Sequence, residues 1–154
     1  MEKSPRPRVL GGITVKVVTP CGNMYVQMNW KGNKLSEVFA TLGHSGGCAS
    51  SQSEAVTRCV TLGLRCGVPL EEYVKQLRGI RCPNPVMFPK KSAILSCPDA
   101  LGKVLAEFGG LGVNGVIKLF EKGSESSTEL IEDDVEDARN QAEVLAKERE
   151  RLDL

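Results

Sequence analysis

Ile13-Thr14-Val15-Lys16-Val17-Val18-Thr19, then Pro20-Cys21-Gly22-Asn23, then Met24-Tyr25-Val26-Gln27-Met28-Asn29-Trp30, is the stretch that decides the fold. Both flanking runs alternate in polarity and are rich in β-branched or aromatic residues, as a strand with one buried face requires. The four residues between them have turn chemistry, with proline fixing one φ and glycine free to take a positive one. Lys31-Gly32-Asn33 makes a second turn, and Leu35–Leu42 is a third strand candidate. Three short strands joined by tight turns form an antiparallel meander, because a parallel neighbour needs a long crossover.

Downstream the pattern changes period. Gly43-His44-Ser45-Gly46-Gly47 is a Gly-rich loop, and Cys48 to Arg65 reads as a helix. Gly67-Val68-Pro69 ends it and Leu70–Leu77 begins another, with Glu71 and Glu72 suited to the positive end of the helix. Residues 79–93 hold three prolines and read as a long, shaped loop. Ser96 or Cys97 caps a third helix reaching about Phe108; Pro98 fits its first turn, and Asp99 completes a capping-box spacing with Ser96. Gly109–Gly115 reads as flexible, followed by a short apolar segment, Val116–Phe120. Ser124–Thr128 is a polar linker before a helix over Glu129–Leu152, in which Ile131, Ala138, Leu145 and Leu152 recur every seven residues. Arg149 interrupts that seam, which suits a homodimer through 131–152 or a helix laid on its own body or another protein.

The expected fold class is therefore α+β: a small three-stranded antiparallel sheet, three helices and a C-terminal helical arm. The expected division is a flexible basic lead-in over 1–12, a domain over 13–120, and an acidic linker with amphipathic helix over 121–154. Charge follows it. Residues 1–120 carry 15 Lys/Arg against 7 Asp/Glu, and residues 121–154 carry 5 against 12. Such a basic body and acidic arm attract each other, serve different partners, or are two solvated faces. No run suits a membrane span and the N-terminus lacks a signal-peptide core, so a cytoplasmic protein with no membrane partner is expected. Its six cysteines then read as thiols or metal ligands rather than a disulfide framework.

Helix geometry sorts those cysteines. Cys48, Cys59 and Cys66 fall within about 20° of one stripe, but Cys59 rises about 16 Å and Cys66 about 27 Å from Cys48. One metal cannot bridge such distances with zinc–sulfur bonds of about 2.3 Å. Cys59 and Cys66 are expected as small core residues. Cys48 and Cys97 begin helices, where backbone N–H groups favour a thiolate, while Cys21 and Cys82 lie in Pro/Gly turns. The set Cys21, Cys48, Cys82 and Cys97 has enough donors for a zinc shell but no C-x-x-C pair, so inert reduced thiols remain the alternative. His44 beside Cys48 is either a ligand or base or a solvated side chain. The loop at 43–51 suits an anion but lacks a Walker ending.

Ile94-Leu95-Ser96-Cys97-Pro98-Asp99-Ala100 closely resembles the signature of TSCPD domains, which occur at the C-terminal end of adenosylcobalamin-dependent ribonucleotide reductases and as small free-standing proteins. Thr19-Pro20-Cys21-Gly22-Asn23, Gly46-Gly47-Cys48-Ala49, Gly67-Val68-Pro69 and Gly79-Ile80-Arg81-Cys82-Pro83 match in order. The resemblance carries the family's cysteine positions onto Cys21, Cys48, Cys82 and Cys97, and implies a shared metal site at those four. Zinc is the expected ion, and an iron–sulfur cluster, by analogy with cluster scaffolds, is the second choice. The chain is too short for the reductase barrel, and the C-x-x-C tail of many such reductases is missing. Two readings result. One is a non-catalytic, metal-binding accessory module that docks a protein partner, a ribonucleotide reductase first among them. The other is a thiol-redox or metal-handling protein using its helix-start cysteines. Nucleic acid is not an expected partner, because no aromatic-rich basic strand or DNA-reading motif is present.

Overall fold

The computed structural model describes residues 2–42, 47–87 and 93–121. His44 and the seam at 131–152 lie outside them. The chain divides into two compact units, Met1–Val116 and Ile117–Leu154; the fold below is that of the first.

β1 (Gly11–Thr19), β2 (Gly22–Lys31) and β3 (Lys34–Leu42) pair antiparallel in the order β1-β2-β3. Thr19 pairs with Gly22 across the two-residue turn Pro20-Cys21, and Lys31 with Lys34 across Gly32-Asn33. Gly22 and Gly32 take φ of 118° and 61°, which a side chain would strain. The alternation read from the sequence sets the faces. Met24, Val26, Met28 and Trp30 of the central strand are buried, with Leu35, Val38, Ala40 and Leu42 beside them. A bulge interrupts this on β3: Asn29 pairs with Glu37 and Trp30 with Leu35, leaving Ser36 unpaired. Glu37 and Val38 are consequently both buried.

α1 (Cys48–Arg65), α2 (Leu70–Leu77) and α3 (Cys97–Phe108) begin and end where caps and prolines indicated. α1 packs along β3 with a polar stripe, Ser53, Thr57 and Thr61, spaced by four. The Ser53 and Thr57 hydroxyls donate back to Ala49 and Ser53 carbonyls at 2.8 and 3.0 Å, so their burial leaves no orphan donor. Thr61 Oγ1 instead reaches the sheet edge, accepting from Val38 N–H and donating to Val38 C=O, both at 2.9 Å. α3 is the apolar centre of the helical layer: Leu101, Val104 and Leu105 belong to the sheet's core cluster, and Ala100 is buried. Burying each large aliphatic side chain there contributes about 1.5–3 kcal/mol. Trp30 Nε1 donates to Gly109 C=O at 3.1 Å, tying the end of α3 to β2.

Three features differ from the sequence reading. A fourth helix, α4 (Gly112–Glu121), occupies the stretch read as flexible glycines and an apolar run. Gly112 starts it at φ 65° against Asn33, and Val113 N–H donates to Gly32 C=O at 3.2 Å. The lead-in is tied at two points: Ser4 N–H donates to Arg65 C=O while the Arg65 guanidinium donates back to Ser4 C=O, and Arg6 Nε donates to Glu37 Oε1 at 2.5 Å. Cys59 is not a core residue. It is exposed and Cys66 half-buried, and both flank Tyr73, whose hydroxyl lies where a Cβ on Gly63 would stand. Burial first, then Cys66 and Cys59, push the Tyr73 phenol upward. Among the described residues no single helix is long and apolar enough to cross a membrane.

Candidate functional site: a thiol-lined cavity

The Ser-Cys-Pro-Asp segment builds one wall of a cavity, and three of its four residues are scaffold. Ser96 is the N-cap of α3: its Oγ accepts from Asp99 N–H at 3.2 Å and donates to Ile80 C=O at 2.7 Å. Pro98 sits in the first turn, where its missing N–H costs nothing. The Asp99 carboxylate, 1% exposed, does not close the capping box on Ser96. It accepts from Gly79 N–H at 2.8 Å, Leu95 N–H at 3.0 Å and Lys103 Nζ at 2.7 Å. Burial alone would push that carboxyl up, but the Lys103 ammonium and the two backbone donors outweigh it and hold the carboxyl below 3.8. Ser96 and Asp99 thus clamp the Gly79–Ile80 corner, and Cys82 N–H adds a bond to Leu95 C=O at 3.0 Å. The clamp sets Cys82 beside the start of α3.

Cys97 is the remaining residue, 8% exposed on the first turn of α3. Its thiol donates to Thr19 Oγ1 at 3.4 Å. The Thr19 hydroxyl also accepts from Cys21 N–H at 3.3 Å and donates to Gly22 C=O at 2.8 Å. One buried hydroxyl therefore fixes both the β1–β2 turn and the Cys97 side chain. Thr19 went unnoticed as a site residue in the sequence; its position before Pro-Cys-Gly was the available signal, since a hydroxyl there can bond its own turn.

The result is a cavity of about 360 Å³ whose walls include Cys21, Cys82 and Cys97, with Met24, Val56 and Leu101 as apolar lining. Three elements distant in sequence (the β1–β2 turn, the loop after α2, and the head of α3) each deliver a thiol. Cys48 is not among the lining residues. It is exposed at the first position of α1, next to Ala49, which does line the cavity. Among the described residues, Gln52 and Ser53 are the polar side chains besides the thiols. The Cys21 thiol is pushed upward, first by its hydrogen bond with Cys97, then by burial, then by the neighbouring Cys97 and Cys82 thiols. Among the described residues no cationic side chain lines the cavity to favour a thiolate.

The donors have the softness that zinc or an iron–sulfur cluster takes. Their spacing is looser: among the described residues no three or more His, Cys, Asp or Glu side chains stand as a ready metal shell.

A meander backed by α1 and α3, with thiols meeting at the head of α3, defines a small α+β cysteine-site domain. The TSCPD domain model matches residues 2–109, and the chain belongs to that family. TSCPD domains are associated with adenosylcobalamin-dependent (class II) ribonucleotide reductases. No curated protein and no solved structure matches the chain significantly.

Proposed function

We propose that this chain is a non-catalytic accessory module acting beside an adenosylcobalamin-dependent ribonucleotide reductase in the cytoplasm, and that its thiol cavity holds zinc. The observation that carries the reading is the meeting of Cys21, Cys82 and Cys97 on one cavity from three separate elements. Core packing alone gives no reason for three thiols to share a wall. Cys48 is the fourth ligand in this reading, brought in from the head of α1 as the shell closes. Zinc would neutralise thiolate charge and cross-link the β1–β2 turn, the Cys82 loop and the heads of α1 and α3, stabilising the face that meets the partner. Support for the reductase link is family membership. Support for a docking rather than catalytic role is that zinc held by all four thiolates leaves no open position for substrate.

Elemental mass spectrometry on anaerobically purified protein tests the site. About one zinc per chain in the parent protein, with loss in Cys97→Ser and Cys48→Ser, is expected. Iron with sulfide would replace zinc by a cluster, and no metal in the parent would refute the site. Co-migration with the purified reductase in analytical ultracentrifugation tests the partner, and separate sedimentation at micromolar concentrations would refute it.

A further inference from the structure

Two of the thiol-bearing residues of the same cavity are held by one hydroxyl. Cys21 is exposed at the tip of the β1–β2 turn and Cys97 is buried at the head of α3. Thr19 Oγ1 stands 3.4 Å from Cys97 Sγ and 3.3 Å from Cys21 N, so one hydroxyl anchors the two residues on the same side of the cavity. Cys82 is held differently, through its backbone bond to Leu95, and Thr19 has no bond to it. The turn carrying Cys21 is short and ends in Gly22 at φ 118°, and the Thr19 hydroxyl anchors it.

We infer that Cys21 and Cys97 are a redox pair that closes to a reversible disulfide by exchange with a low-molecular-weight disulfide. Exposure assigns the roles. The Cys21 thiolate attacks one sulfur of the incoming disulfide, breaking its S–S bond and forming a mixed disulfide. The first small thiol leaves and takes up the proton lost by Cys21. Cys97 then gives up its proton and attacks the Cys21 sulfur, expelling the second small thiol, which takes that proton. Two protein thiols are oxidised by two electrons, and one small disulfide is reduced to two small thiols. Thr19 is a positioning residue: it holds the Cys97 sulfur beside the turn where the mixed disulfide forms.

Closure would remove two of the four thiols proposed above as zinc ligands, so on that reading the pair makes metal retention depend on the thiol–disulfide balance around the protein.

The test uses the full chain, stripped of metal by a chelator and exposed to oxidised glutathione, followed by alkylation and tryptic mapping. Cys21, Cys82 and Cys97 fall on separate tryptic peptides, 17–31, 82–90 and 92–103. The expected product loses two of its six thiols and joins peptide 17–31 to 92–103. Cys82→Ser gives the same bridge, and Cys97→Ser stops with glutathione on Cys21. A bridge from Cys21 to Cys82, or glutathione confined to Cys48 and Cys59 with Cys21 free, overturns the assignment. The wild-type and Cys82→Ser maps decide the matter even if Cys97→Ser fails to fold. Because the protein is metal-free throughout, absence of zinc in the earlier assay and absence of the bridge here are separate failures.

Discussion

Asp99→Asn isolates the clamp at the head of α3. The carboxylate takes three donors: Gly79 N–H at 2.8 Å, Leu95 N–H at 3.0 Å and Lys103 Nζ at 2.7 Å. Asparagine keeps the shape but offers a single oxygen, so one of the two backbone N–H groups faces an NH2 group instead. A stranded buried N–H costs about 1–3 kcal/mol. Losing the Lys103 pair, whose lysine is one-third exposed, adds about 0.5–1 kcal/mol after solvent screening. The expected loss is about 3 kcal/mol, which at an m-value near 1.5 kcal/mol per molar moves the urea midpoint down by about 2 M. The sign with pH follows from the lowered carboxyl. A depressed folded pKa stabilises the fold above the unfolded value, and that stability is lost as pH falls through the folded one. The gap between wild type and variant should be full near pH 6 and shrink below pH 3.8. A loss under about 1 kcal/mol, or a gap unchanged down to pH 2.5, would refute the clamp.

Other substitutions probe the remaining supports. Thr61→Val keeps the volume and removes the hydroxyl that serves both Val38 groups, so calorimetry should show a loss of about 2 kcal/mol. Gly63→Ala places a Cβ 1.5 Å from the Tyr73 hydroxyl; parting α1 from α2 should cost about 1–3 kcal/mol, while the double change with Tyr73→Phe recovers part of it. Arg6→Ala leaves the Glu37 carboxylate, 3% exposed, with Asn29 as its remaining side-chain partner. A cost of about 1–2 kcal/mol is expected, together with faster amide exchange around Ser4.

The strands and the first three helices were legible because their signals are local: alternation on β2, Pro69 before α2, and Ser96 with Pro98 at α3. The features that were missed depend on partners far along the chain. Gly112 and Gly115 read as a loop, yet α4 forms because Gly112 rests on Asn33 and Val113 bonds Gly32. Arg6 read as part of a solvated lead-in, since nothing near it in sequence reveals the buried carboxylate of Glu37. The stripe through Cys48, Cys59 and Cys66 gave their alignment but not the direction it faced, which is why Cys59 was assigned to the core. At the site, positions in turns and at helix starts selected Cys21, Cys82 and Cys97 among the candidates. The Thr19 bond that brings the β1–β2 turn and α3 together spans 78 positions, and no local pattern encodes it.

Thr61 has a consequence for assembly. Its hydroxyl occupies the outward N–H and C=O of Val38, in the middle of β3, while α1 lies along that strand. Strand addition at β3 would have to displace it, which leaves β1 as the border without a paired strand among the described residues. A sheet that can grow on one side only can join a second copy edge to edge and then has nowhere further to extend. By that geometry edge-to-edge growth would stop at a closed pair rather than run on into a fibre.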